Sequence, residues 1–457
     1  MRIVTAVAAA LTIAATALPA ASAAPAGPPA TEGVWRTDGY GTLFVLGGGT
    51  LREYQTTSLS CIEGDSARQT GPGGYLTPDG TALTVRTTHD RDHARLAADS
   101  GVGHRRLTRL RALPADCAPP ASADPRTSFD VLWQTFEENY PFFAQKGVDW
   151  HAVRDRYRPQ VRPDTTDAEL FGIFSRMLRP LHDAHVAVKD GYRIFAEVRP
   201  GTEPPSPELD ARVKRYTITR DLKDAKNRQD FAAGRITYAD LPGDLGYLRI
   251  SGFGGYAGDG APFTAERAEL DRTLDTVLTP ARTRRLHGLI IDLRVNGGGS
   301  DALGVRIAAR LTDTPYTAYA KRARNDPADP TRHTRPEPVP VVPAHAPRYT
   351  GPVAVLTGGS TVSAGETFTQ ALLDRPGRTV RIGQPTQGVF SDVMLRALPD
   401  GMLFILPNEE YLTRTGRTFD GTGIPPQLTE PVFTDEEFRQ NRDSAFDRAV
   451  RVLRPRR

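Results

Sequence analysis

Hydrophobic residues along the chain follow a strand-like pattern first and a helical pattern afterwards. Between residues 32 and 118, short apolar segments alternate with turn residues, which predicts a small antiparallel β-domain, either a sandwich or a barrel. Three of its strands are predicted at 33–36, 41–46 and 81–86. From 127 to 190 the apolar positions recur three and four residues apart, which indicates a helical subdomain.

The helical subdomain is predicted to contain three helices. The first presents an apolar face over 129–140, and the second begins near Asp149. The third begins at Thr166, which stands three residues before Glu169 in the spacing of a capping box. Residues 191–244 are polar, charged and rich in proline, so they are predicted to be a linker or connecting segment.

An α/β core is predicted over 245–453, where strands and helices alternate. Apolar runs at 246–250, 286–293 and 353–356 are separated by helical patterns, and this order predicts a mixed, largely parallel sheet covered by helices. Sites in such sheets lie beyond the carboxyl ends of the strands. The proline-dense segment 323–349 is predicted to be an exposed insertion or an extended lid.

The last part of the chain continues the core. A strand is predicted at 379–383, and a hairpin is predicted from 393–398 and 402–406 around a Pro-Asp-Gly turn. One polar helix is predicted over 435–453.

The composition is that of a soluble globular protein. The chain has 457 residues, of which 39% are hydrophobic and 25% charged, enough for about three domains. Its 58 Lys and Arg against 54 Asp and Glu give a net charge of +4, a near balance that argues against a nucleic-acid partner. No cofactor and no metal site are predicted: no Cys or His cluster lies at ligand spacing beside the two cysteines, and His89 and His93, four residues apart, lie in a charged stretch with little helical pattern.

The amino terminus has the pattern of a signal peptide over residues 1–23. Arg2 precedes an apolar, alanine-rich segment, and Ala21-Ser22-Ala23 forms an A-x-A cleavage site. The prediction is cleavage near Ala23 and a secreted, extracellular protein. The apolar segment is short for a membrane span, and no later segment is apolar enough, so stable membrane insertion is not expected. An uncleaved anchor is the alternative.

Cys61 and Cys117 are the two cysteines of the chain, and both lie in the predicted β-domain. An exported chain with two cysteines favours one disulfide. Two free buried thiols are the alternative.

A serine lies at a predicted strand-to-helix turn, a place where a side chain is exposed on a rigid frame. Ser363 is followed by the small residues Ala364 and Gly365 and then by a helical apolar pattern. The N–H groups that open such a helix can stabilise the negative charge that develops when a hydroxyl attacks a carbonyl. The alternative is that Ser363 only caps the helix.

Two histidines, His182 and His185, lie where the helical subdomain passes into a predicted strand. They are candidates for proton transfer. The alternatives are a cation at a helix carboxyl end and a hydrogen-bonded, half-buried histidine. A metal pair is less favoured because no third ligand is evident.

The core contains four short motifs in order: DLRVNGGG at 292–299, GSTVSAGE at 359–366, GQPTQG at 383–388 and DGTGIPP at 420–426. In this order and spacing they resemble the C-terminal-processing and tricorn-type serine peptidases. The helical segment resembles the region ahead of their catalytic core, whereas the β-domain lies outside the resemblance. The resemblance implies a ClpP/crotonase-like α/β core.

The resemblance also implies roles for individual residues. Ser363 would be the nucleophile, and His185 would be the base because LHDAH at 181–185 fits the L-x-D-x-H pattern of the tricorn-like branch. The processing branch instead uses a lysine at the end of a GxPTxGK-like motif, and that position is Val389 here, which excludes a Ser-Lys dyad. The carboxylate that orients the histidine, a glutamate in the tricorn-like branch, would be Asp420.

An oxyanion hole is expected from the backbone N–H of Ala364 and from the Gly297-Gly298 turn. Glycines there would leave room for the close approach of a substrate. Processing enzymes usually carry a PDZ domain ahead of the core, and the segment 191–244 is too short for one. Recognition of C-terminal tails is therefore not predicted.

The sequence thus predicts a secreted serine peptidase that hydrolyses peptide bonds of a peptide or protein substrate through an acyl-enzyme intermediate. Two alternatives stay open. One is a catalytically silent relative that binds a small apolar ligand or a peptide, and the other is an esterase. No oligomeric state is predicted.

Overall fold

The computed structural model describes residues 31–117 and 123–454. The predicted signal peptide, 1–23, lies outside the described residues. In the described part of the chain, no helix combines the length and the apolar character that crossing a membrane requires.

Eight antiparallel strands near the amino terminus form a closed barrel, because the first strand pairs with both the second and the eighth. The predicted β-domain is confirmed, and the disulfide predicted between Cys61 and Cys117 is present. The strands are β1 (Gly33–Thr37), β2 (Thr42–Gly47), β3 (Thr50–Thr56), β4 (Cys61–Gly71), β5 (Gly74–Leu76), β6 (Ala82–Thr87), β7 (His93–Ala98) and β8 (Arg105–Leu110).

The helical subdomain follows the barrel. Its helices are α1 (Pro125–Asn139), α2 (Phe143–Lys146), α3 (Trp150–Tyr157) and α4 (Asp167–Leu178). The predicted capping box starts α4, since the Thr166 hydroxyl accepts from the Glu169 N–H and the Glu169 carboxylate accepts from the Thr166 N–H. The aromatic rings of Phe129, Phe136 and Phe174 are fully buried between the helices.

The remaining elements lead from this subdomain through the core. In chain order they are β9 (Ala187–Asp190), β10 (Arg193–Ala196), α5 (Pro207–Arg220), β11 (Lys226–Phe231), β12 (Ile236–Leu241), β13 (Leu245–Ile250), α6 (Phe263–Val277), α7 (Pro280–Arg285), β14 (Gly288–Asp292), β15 (Val295–Asn296), α8 (Asp301–Ala308), β16 (Tyr316–Ala323), β17 (Glu337–Val341), β18 (Val353–Thr357), β19 (Ser360–Thr361), α9 (Ala364–Ala371), β20 (Thr379–Gly383), β21 (Val393–Ala397), β22 (Leu403–Pro407), β23 (Glu409–Leu412), β24 (Leu428–Thr429), α10 (Asp435–Arg439) and α11 (Ser444–Leu453).

A seven-stranded mixed sheet forms the centre of the core, in the order β11-β12-β13-β14-β18-β20-β24. The strands from β13 to β24 are parallel, and β11 and β12 join them antiparallel. Leu289 and Ile291 of β14 face the apolar cluster that includes α6, α8 and α9, while Ile290 faces the cluster that includes α11. The sheet is therefore covered on both faces, as the continuous apolar runs predict.

Two short pairings bring the turns of the core together. The parallel pair β15–β19 places the turn after Asn296 beside the turn after Thr361. A four-stranded antiparallel sheet, in the order β10-β9-β22-β21, joins the end of the helical subdomain to the core. Since β22 is antiparallel to both β9 and β21, these two strands begin at the same end of that sheet.

Three predicted segments differ from the structure. The linker predicted over 191–244 contains β11 and β12, and β11 carries no apolar run because it is an exposed edge strand. The helix predicted over 435–453 is two helices, α10 and α11, separated by Asn441 with a φ of 50°. The exposed insertion predicted over 323–349 includes β17, which pairs with β16 and buries Val339 and Val341.

Candidate active site

Ser363 lies at the tight turn between β19 and α9. Its backbone has φ 54° and ψ −121°, a left-handed conformation that is uncommon for a residue with a side chain. The Ser363 N–H donates to the Val389 carbonyl at 3.0 Å, which holds the turn against the segment after the GQPTQG motif. The serine is half-buried, so its hydroxyl stands on a fixed backbone with access to solvent.

The predicted glycine turn lies directly against this serine. A Cβ added to Gly298 would lie 2.6 Å from the Ser363 Cβ, and the φ of Gly298 is 78°. Only glycine meets both demands, the close approach and the left-handed backbone. The pairing of β15 with β19 holds the two turns next to each other.

The three predicted oxyanion donors are not equally available. The Gly297 N–H donates to the Ser251 carbonyl at 3.0 Å, and the Gly298 N–H donates to Asn296 Oδ1 at 2.9 Å. The Ala364 N–H, at the start of α9, has no acceptor within residues 31–117 and 123–454. The Ala364 N–H is therefore free to bind an oxyanion in this conformation. The Gly298 N–H could do so only if its hydrogen bond to Asn296 Oδ1 lengthened or broke.

Glu366 anchors the loop behind the serine. Its carboxylate accepts from the N–H groups of Gly388 at 2.7 Å, Val389 at 2.8 Å and Ser363 at 3.3 Å. Burial raises the pKa of Glu366 to about 8, although these three donors act in the opposite direction. The side chain therefore fixes the position of the Ser363 turn.

His185 lies between α4 and β9 and is held by a neighbouring aspartate. Asp183 Oδ1 accepts from the His185 N–H at 3.0 Å, and Asp183 Oδ2 accepts from the Tyr140 hydroxyl at 2.9 Å. Desolvation lowers the pKa of His185 below its ordinary value, while Asp183, Asp392 and the Ser391 backbone act in the opposite direction. The ring Nδ1 is buried and has no hydrogen-bond partner in the described ranges. The neutral ring that a general base requires is thus favoured.

Asp420 is buried just before the Gly-Thr-Gly turn. Its carboxyl accepts from the Phe390 N–H at 3.3 Å and from the Thr418 hydroxyl. Burial raises the pKa of Asp420 well above its ordinary value, and the charges of Asp183 and Glu366 add to the effect. Asp420 therefore interacts with the same backbone segment that holds the serine turn.

The four-residue segment Val389–Asp392 contacts all three predicted residues: Ser363 through its backbone, and Asp420 and His185 through their side chains. Val389 accepts from the Ser363 N–H, Phe390 donates to Asp420, and the Ser391 backbone faces the His185 ring. The Cα atoms of residues 389 and 391 can be no more than about 7 Å apart. Across the described part of the chain, however, no hydrogen bond joins the side chains of Ser363, His185 and Asp420 to one another.

A charged cluster beside His185 was not predicted from the sequence. Lys321 Nζ lies 3.1 Å from Asp392 Oδ2 and 3.2 Å from Glu409 Oε2. Although desolvation acts in the opposite direction, the Lys321 ammonium holds the pKa of Asp392 below its ordinary value. The charge of Asp392 in turn favours protonation of His185. Only the pairing of β16 with β23 brings Lys321 and Glu409 together, and no local motif marks it.

Within the described residues, no group of three or more His, Cys, Asp or Glu side chains could hold a metal ion. The chemistry available at the site is that of a serine hydroxyl, an imidazole, carboxylates and backbone amides.

Comparison with known proteins bears on the same part of the chain. Residues 244–429 match the model of peptidase family S41, and residues 121–179 match the model of the tricorn protease C1 domain. None of the curated proteins compared with the chain matches it.

Two solved structures share the fold. One, a protein from Parabacteroides merdae described as a candidate peptidase, is 24% identical with a TM-score of 0.61, over 73% of this chain and 97% of that chain. The other, mature CPAF complexed with lactacystin, is 13% identical with a TM-score of 0.50, over 72% of this chain and 97% of that chain. At these identities the likeness concerns the fold alone.

The family model covers the strands and turns that carry Ser363, Gly298 and Asp420, and it identifies a serine-type peptidase. The core of the chain is therefore similar to peptidase family S41 over residues 244–429, and a segment similar to the tricorn protease C1 domain precedes it.

Proposed function

We propose that this peptidase hydrolyses peptide bonds through an acyl-enzyme intermediate on Ser363, with His185 as the general base and Asp420 as the carboxylate that orients the base. The seven-stranded mixed sheet supports the expectation of a ClpP/crotonase-like core beneath this site. The observation that carries the proposal is the segment Val389–Asp392, because Ser363, His185 and Asp420 all interact with it.

The chemistry proceeds in two halves. Ser363 Oγ attacks the substrate carbonyl carbon while His185 accepts the hydroxyl proton, and the proton then passes to the amine that leaves. Water next attacks the acyl carbon, again with His185 as base; the bond between the acyl carbon and Ser363 Oγ breaks, His185 returns the proton to that oxygen, and the carboxylic acid product leaves. The free N–H of Ala364 and the neighbouring N–H of Gly298 would hold the negative oxygen of each tetrahedral intermediate.

The imidazole must move toward the serine for this reaction, since the two are not hydrogen-bonded. Catalytic hydrogen bonds are often long in a free enzyme and shorten when substrate binds. His185 Nδ1 has no hydrogen-bond partner among the described residues, so the ring can move without breaking a hydrogen bond at that atom. Asp420 would approach the ring in the same step, and the positive charge of the imidazolium would then favour its ionised form.

We also propose that the enzyme acts after export. The Cys61–Cys117 disulfide in the barrel supports this, because disulfides persist in oxidising compartments. The signal peptide predicted from the sequence over residues 1–23 is the other support for this proposal.

Hydrolysis assays with a panel of quenched fluorescent peptides and nitrophenyl esters test the function. Wild type should cleave peptides, and Ser363→Ala and His185→Ala should each lower kcat by about 10³-fold or more. His182→Asn is the matched control, since Asn tolerates the left-handed backbone of that position and His182 has no proposed role. Ester cleavage without peptide cleavage would indicate an esterase. A wild-type protein that cleaves neither would be a binding relative.

A further inference from the structure

The sheet β10-β9-β22-β21 has one covered face and one open face. On the covered face, Val188, Met394, Phe404 and Leu406 are buried against the helical subdomain. Cross-strand pairing places the alternate residues together on the opposite side. We name this side the outer face, and its large apolar residues are Ile194, Val393, Leu395, Leu403 and Ile405.

The outer face is apolar where a polar surface is expected. An antiparallel sheet that buries one face normally presents polar residues on the other. Here Ile194 is 67% exposed, Leu395 50%, Val393 42% and Leu403 37%. Five of the seven exposed large hydrophobic residues in the described ranges lie on this face or in the β9–β10 turn. Contiguous exposed apolar surface of this kind marks a binding site.

The outer face begins at the candidate active site. β9 starts two residues after His185, and β21 starts directly after Asp392. Because β9 and β21 run in the same direction, both catalytic segments enter the sheet at the same end. Ala187 and Val393, the first residues of these strands, are therefore within about 7 Å of their catalytic neighbours along the chain.

We propose that the outer face is the docking surface for apolar segments of extended peptide substrates, which it delivers to Ser363. The proposal rests on the proposed function and specifies the substrate class. An extended peptide directs alternate side chains to one side, so a segment with apolar residues at every second position would bury them on Val393, Leu395 and Leu403. Lys189 is the one charged residue on this face among the described strand residues, so polar segments gain little there.

The test compares Leu395→Glu with Leu59→Glu. Leu59 lies between β3 and β4 of the barrel and is 62% exposed, so it matches Leu395 in residue type and exposure but lies outside the outer face. Two quenched fluorescent peptides share one cleaved bond. One carries Leu and Val at alternate positions, and the other carries Ser and Asn there.

Leu395→Glu should raise KM for the apolar peptide about 10-fold, since it removes the burial of a large apolar side chain, and should leave kcat unchanged. KM for the polar peptide should not change in either variant, and Leu59→Glu should match wild type throughout. Labelling of Ser363 by a fluorophosphonate should be the same in all three proteins, which shows that the catalytic site is intact.

Equal KM values for the apolar peptide in wild type and Leu395→Glu would overturn the docking proposal. So would sedimentation data in which Leu395→Glu dissociates a dimer without changing KM, because a second copy of the chain would then cover the face. If wild type is neither labelled nor active on any peptide, the proposed function fails as well, and the two failures are thereby distinguished.

Discussion

At the scale of single residues, the proposed nucleophile and the proposed base are held differently. Ser363 is held by its left-handed backbone and by its bonds to Val389 and Glu366. The backbone of His185 is held by Asp183, but its ring Nδ1 has no partner among the described residues. Substrate binding would therefore complete the site through the imidazole rather than through the serine.

The pH dependence of catalysis should report the environment of His185. Its pKa is lowered by desolvation, so the neutral base persists to lower pH than in a free histidine, and activity is lost only as pH falls through the lowered pKa. The acid limb of kcat/KM should have its midpoint below about pH 6.5, the ordinary histidine value. A midpoint at or above that value would contradict the assignment, and His182→Asn should leave the limb unchanged.

Replacing Asp420 or Asp392 by asparagine should have different effects on catalysis. Asp420→Asn should lower kcat severely, by about 10³-fold, because the amide allows the wrong histidine tautomer. The fold should persist, since burial already favours the uncharged form of Asp420. Asp392→Asn should instead shift the acid limb to lower pH, because the charge that favours protonation of His185 is lost. Near wild-type turnover in Asp420→Asn would remove Asp420 from the mechanism.

The sequence was informative about the site where a local motif marks a residue. Ser363 and the Gly297-Gly298 turn lie in short segments whose small residues have a steric reason, and the structure brings these turns together. Lys321 and its neighbours could not be predicted, because their contact depends on the register of β16 against β23. The hydrogen bonds that occupy the N–H groups of Gly297 and Gly298 likewise depend on contacts with Ser251 and Asn296.

At the scale of elements, a buried ion cluster fixes the glycine turn. Arg294, which follows β14 and precedes that turn, is fully buried and pairs with Asp292 and with Asp443. Asp443 also accepts from the Phe446 N–H and so starts α11. One side chain therefore begins a helix and neutralises the arginine beside the active-site turn.

Asp443→Asn should lower the free energy of unfolding by about 3 kcal/mol, since it leaves a buried arginine short of a charge partner. Asparagine still caps a helix, so the loss isolates the ion pair. Urea denaturation measures the difference. Asp435→Asn is the control, since Asp435 lies at the start of α10 and its carboxylate is exposed. It should change the free energy of unfolding by less than about 0.5 kcal/mol. Equal stability of the two variants would show that the buried pair contributes nothing.

The sequence predicts the buried strands of the core better than its exposed edge strand and its last two helices. β13, β14 and β18 were predictable because each is buried along its whole length and is rich in apolar residues. The break between α10 and α11 was not predicted; the chain turns at Asn441, and Asp443, which starts α11, also pairs with Arg294, 149 positions away. β11 was missed because its exposed side chains follow no apolar pattern.

At the scale of the whole molecule, the barrel is joined to the catalytic region by buried polar contacts. The Tyr40 hydroxyl, in the β1–β2 turn, donates to Glu409 Oε1 at 2.7 Å, and the Tyr40 carbonyl accepts from Arg396 at 2.7 Å. Glu409 also pairs with Lys321, which pairs with Asp392 beside His185. The barrel therefore contacts the charged cluster that faces His185.

Tyr40→Phe should lower the free energy of unfolding by about 1–2 kcal/mol, because a buried carboxylate oxygen loses its donor. Limited proteolysis should also release the barrel faster than in wild type. Tyr192→Phe, at a fully exposed tyrosine in the β9–β10 turn, is the control and should change neither quantity. Unchanged stability and proteolysis in Tyr40→Phe would mean that this contact does not couple the barrel to the core.

The most direct measurement is the rate at which a fluorophosphonate modifies the protein, followed by mass spectrometry of the peptides. We expect one modified residue, Ser363, no modification in Ser363→Ala, and a rate at least about 10²-fold lower in His185→Ala. An unreactive wild type, a label on another residue, or an unchanged rate in His185→Ala would contradict it.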